Sequence, residues 1–210
     1  MATPSSSRRG RLFVIAAPSG AGKTSLVRAL MERDPKLEFS ISHTTRKMRP
    51  TEQEGRDYYF VDRDTFERMA QAGEFLEYAT VFDNRYATGR APVERALAAG
   101  KDLILEIDWQ GAQQVRRALP EAVTIFILPP SRAALEERLR NRQTDSEEAI
   151  ARRLRDAVAD ISHWREFGYV IVNDSFEQAI ADLQAVVAGR GEQVRADRPG
   201  LEHFAAQLSS

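Results

Sequence analysis

The 210-residue sequence contains no cysteine, which excludes disulfides and thiolate metal sites. Its three histidines, His43, His163 and His203, show no spacing typical of a metal site. The net charge is −1 at pH 7, so the basic excess common in proteins that bind nucleic acids or membrane surfaces is missing. The longest apolar run, 12–17, is far too short to span a membrane. We therefore expect a soluble, cytoplasmic protein whose partners include neither a nucleic-acid polymer nor a membrane.

One stretch near the start of the chain has a clear chemical meaning. After the apolar run 12–16, the chain reads Ala17-Pro18-Ser19-Gly20-Ala21-Gly22-Lys23-Thr24 and continues with the apolar spacing of a helix. A buried strand, a small-residue turn and a helix in this order predict a P-loop. Glycine lets successive backbone N–H groups point at phosphate oxygens, and the positive end of the helix faces the same place.

Two side chains of this loop add specific chemistry. Lys23 supplies a positive charge for the β- and γ-phosphates of a nucleotide, and the Thr24 hydroxyl is a hard oxygen suited to Mg²⁺. The P-loop pattern opens with glycine, whereas this chain has Ala17 there. A methyl group is tolerated at that position if φ stays negative. We predict that residues 17–24 bind the nucleotide and that Thr24 contacts the metal.

The residues after the P-loop helix interrupt the simple alternation of strand and helix. Residues 36–90 are rich in polar aromatic and charged side chains, and they favour short strands with one helix near 64–72. We interpret this segment as an inserted domain that binds the acceptor substrate.

An α/β pattern returns beyond the insertion, with buried strands predicted near 103–107, 123–128 and 169–172 and helices between them. This predicts a P-loop NTPase fold, in which helices flank a parallel sheet. The last clear helix is predicted over 176–187. The predicted organisation is a disordered tail (1–10), a P-loop core (11–35 and 91–188), the inserted domain (36–90) and a linker-like C-terminal tail (189–210).

Several further motifs follow one another along the chain. They are Ser-His-Thr-Thr-Arg at 42–46 with Arg-Pro at 49–50, Gly-Arg-Asp-Tyr-Tyr-Phe at 55–60, Phe-Leu-Glu-Tyr-Ala at 75–79, Ile-Asp-Trp-Gln-Gly at 107–111 and Ile-Val-Asn-Asp at 171–174. In this order and spacing, from about residue 12 to residue 187, the chain resembles guanylate kinase of the bacterial type. The resemblance is far more specific than the P-loop alone. Glu106 departs from the family pattern, which usually has aspartate there.

The resemblance implies a nucleoside monophosphate kinase of purine nucleotide metabolism. Such an enzyme transfers the γ-phosphoryl group of ATP, its co-substrate, to GMP and also to dGMP, with Mg²⁺ as cofactor. A general base is not required, because the acceptor phosphate has a second pKa of about 6 and is already largely anionic at neutral pH.

The resemblance also implies which residues bind GMP. Arginines and tyrosines hold the phosphate, since a guanidinium fork matches two phosphate oxygens. Carboxylates accept from the N1–H and N2 amino group of guanine and would repel the N1 acceptor of adenine. From the residues alone, Asp108 is equally suited to cap the helix that follows it. The implied set is Ser42, Arg46, Arg49, Tyr58, Glu77, Tyr86, Thr88 and Asp108.

A third implied feature is a lid at about 138–153 that closes over ATP. Arginines on such a flap stabilise charge on the moving phosphoryl group and help to exclude water. The implied catalytic set is Lys23, Arg46, Arg138, Arg142 and Arg153.

Two other interpretations stay open at this point. The chain could be a non-catalytic guanylate-kinase-like module that grips a phosphorylated peptide, although the retained Lys23 and Thr24 argue against it. It could also be a P-loop kinase for another small phosphorylated acceptor, such as a sugar phosphate. The residues that the resemblance places against guanine argue against this interpretation. They are Ser42, Glu77, Thr88 and Asp108. The sequence leaves the oligomeric state open.

Overall fold

The computed structural model describes residues 8–81, 83–141 and 147–209. Its strands are β1 (Leu12–Ala16), β2 (Glu38–Phe39), β3 (His43–Thr44), β4 (Tyr59–Phe60), β5 (Phe75–Val81), β6 (Asn84–Gly89), β7 (Leu103–Glu106), β8 (Val123–Leu128) and β9 (Tyr169–Val172). Its helices are α1 (Lys23–Arg33), α2 (Arg63–Gln71), α3 (Arg90–Ala98), α4 (Trp109–Ala118), α5 (Arg132–Arg140), α6 (Glu147–Ile161), α7 (Phe176–Val187) and α8 (Leu201–Ser209).

The larger sheet has the strand order β2-β7-β1-β8-β9. The β2–β7 and β8–β9 pairs are parallel. A parallel strand covered on both faces needs apolar residues along its whole length, and β1 is buried at every position. The predicted α/β fold, a parallel sheet flanked by helices, is confirmed. No helix in the described ranges is both long and apolar enough to cross a bilayer.

The contacts within the chain group it into two compact units, of which the first comprises 1–13, 35–105 and 110–122. This unit contains the smaller sheet, with strand order β4-β3-β6-β5. Its core is built on Phe66, Phe75 and Ala87. Helix α2 begins at Arg63 because the Asp62 carboxylate accepts the backbone N–H of Thr65 at 2.7 Å and so satisfies an unpaired donor of the first turn.

The second unit comprises 14–34, 106–109 and 123–210. Here α1 packs with α7, and α6 packs with α5 and α8. Helix α5 starts at Arg132, because Ser131 Oγ accepts the backbone N–H of Ala134 at 3.1 Å and so satisfies a donor of the first turn.

The expectation of a linker-like C-terminal tail is wrong over its described part. Helix α8 buries Leu201, Ala205 and Leu208 and packs with α5 and α6. These positions are spaced by four and three residues, which is the apolar stripe of an amphipathic helix. At the other end of the chain, residues 1–7 of the predicted tail lie outside the described residues. Gly10, the last residue of that predicted tail, forms a backbone hydrogen bond, in which its N–H donates to Leu97 O at 2.8 Å.

Candidate active site

The backbone between β1 and α1 has the conformation that a phosphate-binding loop requires. Gly20 and Gly22 have φ values of 90° and 93°, a region that residues with a side chain rarely adopt. Ala17 does not have a positive φ, so the condition for a methyl group at that position is met. Helix α1 begins at Lys23, directly after Gly22, and its unpaired N–H groups and positive dipole end point into the loop.

Asn173, directly after β9, forms a hydrogen bond to the backbone of this loop. It is 4% exposed, and its Nδ2 donates to Ala21 O at 2.8 Å. A Cβ atom on Gly22 would lie 2.4 Å from that nitrogen. Asn173 lies within the Ile-Val-Asn-Asp motif at 171–174, but no role was predicted for it. Its position after a buried strand, where α/β proteins place ligand-binding groups, is the signal that could have found it.

Gly22→Ala is expected to damage both stability and activity. The left-handed backbone costs a side chain about 1–2 kcal/mol, and the new methyl group would collide with Asn173. We expect kcat/KM for ATP to fall by at least about 100-fold and the melting temperature by several degrees, measured by steady-state kinetics and thermal unfolding. Gly189→Ala is the matched control, because Gly189 has φ of 73° with open space around it. Equal activity of the two variants would contradict the assignment of the loop.

Lys23 and Thr24 contact the two residues at the end of β7 and just beyond it. Lys23 Nζ donates to Ile107 O at 2.7 Å, and the Thr24 hydroxyl donates to a carboxylate oxygen of Glu106. Hydroxyl and carboxylate oxygens are hard ligands that suit Mg²⁺. Within the described ranges, no group of three or more His, Asp or Glu residues could hold a metal. The Thr24 hydroxyl and the Glu106 carboxylate are two oxygen ligands of this kind, and they would suit a Mg²⁺ ion that takes its remaining ligands from phosphates and water.

The arginines predicted to form a lid differ in where the structure places them. Arg138 on α5 donates from Nη1 to Ala21 O at 3.4 Å and from Nη2 to Asn173 O at 3.2 Å, which brings its charge to the P-loop. Arg153 is half-buried on α6, and Arg142 lies outside the described residues. The predicted lid as a whole stays a prediction.

Arg46 and Glu52 form an ion pair in the first unit. Arg46 Nη1 and Nη2 donate to the two carboxylate oxygens of Glu52 at 3.0 and 2.7 Å, and Nη1 also donates to Lys47 O at 2.7 Å. Glu52 Oε2 accepts the backbone N–H of Arg49 at 2.8 Å as well. Glu52, for which the sequence predicted no role, therefore hydrogen-bonds to both predicted phosphate-binding arginines.

Aromatic rings lie beside the Arg46 side of this ion pair. The Arg46 guanidinium carbon lies 5.3 Å from the centroid of the Tyr58 ring, and the Tyr58 and Tyr86 rings are 6.0 Å apart. The hydrogen bond to Glu52 raises the pKa of Arg46, with a smaller contribution from Tyr86. The same bond holds the pKa of the Glu52 carboxyl below its ordinary value. The structure thus brings Arg46, Tyr58 and Tyr86 together, while Arg49 is exposed.

Strands β5 and β6 place Glu77 directly opposite Thr88. Thr88 Oγ1 donates to Glu77 Oε1 at 2.6 Å, and the two residues are 0% and 3% exposed, respectively. Burying a carboxylate is costly unless it is hydrogen-bonded, and the Thr88 hydroxyl supplies such a bond. Ser42 is half-buried, and its carbonyl accepts the N–H of Tyr59 at 2.9 Å. Asp108 is half-buried directly before α4.

Gln114 on α4 is a further residue for which the sequence predicted no role. Its side-chain amide pairs with the backbone of Tyr78, donating to Tyr78 O at 2.7 Å and accepting from Tyr78 N at 3.1 Å. Tyr78 follows Glu77 directly, so this contact fixes the strand that carries the buried acid.

Strand β1 of the parallel sheet leads through a left-handed glycine loop into helix α1, which begins with Lys23 and Thr24. This arrangement defines a P-loop nucleotide-binding protein. Comparison with known proteins narrows this class. A protein-family model described as guanylate kinase matches residues 9–189. The chain belongs to the guanylate kinase family.

Individual relatives agree with this match over nearly the whole chain. The chain is 56% identical over 204 residues to the guanylate kinase of Chromohalobacter salexigens, a match that covers 96% of this chain and 94% of the relative. It is 54% identical over 200 residues to the guanylate kinase of Methylococcus capsulatus, covering 95% and 98%. The crystal structure of guanylate kinase from Anaplasma phagocytophilum superimposes with a TM-score of 0.72 at 33% identity and covers 97% of both chains.

Proposed function

We propose that the protein is an ATP:GMP phosphotransferase that converts ATP and GMP, and also dGMP, into ADP and GDP. The observation that carries the proposal is the P-loop, with Lys23 and Thr24 retained, in a member of the guanylate kinase family, with Lys23 Nζ held at 2.7 Å from Ile107 O. The proposal includes a cytoplasmic location, which is supported by the composition of the chain.

On the ATP side, the loop 17–24 wraps the phosphates with backbone N–H groups, and Lys23 and Arg138 oppose the negative charge that the phosphoryl group carries during transfer. Bound at Thr24 and Glu106, Mg²⁺ would neutralise charge on the β- and γ-phosphates. The contact of Arg138 with Ala21 O supports its assignment. In the proposal, Arg142 and Arg153 complete this arginine set.

On the acceptor side, a phosphate clamp positions GMP and a pair of acids selects its base. The phosphate clamp consists of Arg46, Arg49, Tyr58 and Tyr86. The base-selecting set consists of Ser42, Glu77, Thr88 and Asp108. The bidentate geometry of Arg46 and the burial of the Glu77–Thr88 pair support these assignments. Transfer then depends on positioning and electrostatics, because the acceptor oxygen is already anionic.

Acceptor preference is the experiment that tests the proposal. In a coupled assay of ADP release, kcat/KM for GMP is expected to exceed that for AMP by about 10⁴-fold, with dGMP close to GMP and UMP close to AMP. Glu77→Gln replaces an acceptor by a group that also donates, so its GMP preference is expected to fall by about 100-fold. Glu74→Gln, at an exposed position just before the same strand, is the matched control.

The outcomes also separate the other two interpretations, which no observation favours. Turnover of AMP equal to that of GMP would refute base selection by Glu77. Turnover of a sugar phosphate in preference to GMP would indicate the second kind of kinase. Absence of turnover with every acceptor would favour the binding module.

A further inference from the structure

One aromatic residue of the motif at 107–111 has no part in the function proposed above. Trp109 is the first residue of α4 and directly follows Asp108. Its indole stacks on the imidazole of His163, with ring centroids 3.5 Å apart and planes 8° from parallel. Its Nε1 donates to Oδ1 of Asp160 at 2.9 Å. Trp109 is therefore held by both its ring face and its ring edge.

The two residues that hold Trp109 lie at the C-terminal end of α6 and in the 3₁₀ turn that follows it, Ser162–Glu166. His163 Nδ1 lies 2.6 Å from a carboxylate oxygen of Glu166, and a carboxylate only accepts, so Nδ1 donates to it. Burial raises the pKa of Asp160 to about 6, the Trp109 N–H opposes this rise, and the negative charge of Asp108 adds to it. The charges of Asp108 and Asp160 therefore interact.

Ile107, which directly precedes Asp108 in the chain, is also held in place. Ile107 O accepts the ammonium of Lys23 at 2.7 Å, and Ile107 N donates to Ile15 O at 3.2 Å. Asp108 thus lies between a backbone held by β1 and the P-loop and an indole held by α6. The Asp108 backbone is therefore anchored through both of its neighbours, which fixes the point from which its carboxylate extends, and base recognition needs an acceptor in a fixed place.

We infer that Trp109, held between His163 and Asp160, is a positioning residue that fixes the Asp108 carboxylate for recognition of the acceptor base. The inference rests on the proposed role of Asp108 in binding guanine. A tryptophan that only stabilises the fold would change the melting temperature and would affect the KM values for ATP and GMP alike. A positioning residue for Asp108 raises the KM for GMP selectively.

The test measures both KM values in two variants of Trp109. Trp109→Phe keeps an aromatic ring on His163 but loses the N–H, and Trp109→Leu loses both contacts. We expect the KM for GMP to rise about threefold in the first and about tenfold in the second, with the KM for ATP within about twofold of wild type. Asp160→Leu should resemble Trp109→Phe, and Asp160→Asn, which keeps an oxygen acceptor for Nε1, should raise the KM for GMP less.

Two reference variants make the outcomes decisive. Trp164→Phe is the matched control, because Trp164 is the second tryptophan of the chain and is 6% exposed. If Asp108→Asn raises the KM for GMP and neither Trp109→Phe nor Asp160→Leu does, the inference is overturned and the proposed function stands. If Asp108→Asn leaves the KM for GMP unchanged, both the inference and the assignment of Asp108 fail. A selective rise in Trp164→Phe equal to that in Trp109→Phe would also overturn the inference.

Discussion

Lys23→Ala is expected to lower kcat/KM for ATP by about 10³-fold at saturating GMP. Its ammonium is held by Ile107 O at 2.7 Å directly beside Gly22, so its charge is fixed before the phosphates arrive. Fixed groups that meet charge developing in the transition state contribute about 10²–10³-fold each, and a full positive charge belongs at the upper end of that range. The ADP-release assay measures the loss, and circular dichroism checks that the variant is folded.

Lys101→Ala is the control for this prediction. Lys101 forms an exposed pair with Glu38 at 2.6 Å, and such surface pairs stabilise proteins by only about 0–1 kcal/mol. Its kinetic constants should therefore match those of the wild type. A Lys23→Ala enzyme within tenfold of wild type would mean that the loop binds no triphosphate in the proposed way.

Arg46→Ala is expected to raise the KM for GMP and lower kcat, with a loss of about 10²–10³-fold in kcat/KM. The same guanidinium would bind the acceptor phosphate and hold it in line for attack, so both constants should change. Removing Arg46 also leaves the Glu52 carboxylate, 13% exposed, without its partner beside an incoming dianion. Part of the loss therefore comes from repulsion by Glu52.

A double variant separates the two contributions. Arg46→Ala combined with Glu52→Gln removes the stranded charge, so it should recover about tenfold of the loss in kcat/KM for GMP. Arg56→Ala is the control, since Arg56 is an exposed arginine of the same loop that pairs with Asp57 at 2.7 Å. Unchanged GMP kinetics in Arg46→Ala would remove this residue from the phosphate clamp.

Features with a local signal were predicted well from the sequence. Strand 12–16, strand 123–128 and helix 176–187 have the predicted bounds, because an unbroken apolar run or a helical apolar period is visible within a few residues. The P-loop belongs to this group, since its glycines and the helix start are consecutive in sequence.

The parts that were missed depend on distant partners. Asn173 and Ala21 are 152 positions apart, and Gln114 and Tyr78 are 36 apart, so no window of sequence contains either contact. The assignments of the substrate-binding and catalytic residues stay predictions.

The two hydrogen bonds to Ala21 O, from Asn173 Nδ2 and Arg138 Nη1, have a thermodynamic consequence. They come from the residue directly after β9 and from α5 rather than from a nucleotide, so the shape of the loop is preorganised. Ordering a free backbone costs about 1–2 kcal/mol per residue, and a preorganised loop avoids that entropic penalty when ATP associates. Calorimetry of ATP binding should therefore show a smaller unfavourable entropy in the wild type than in Asn173→Ala, where the loop must be ordered by its ligand.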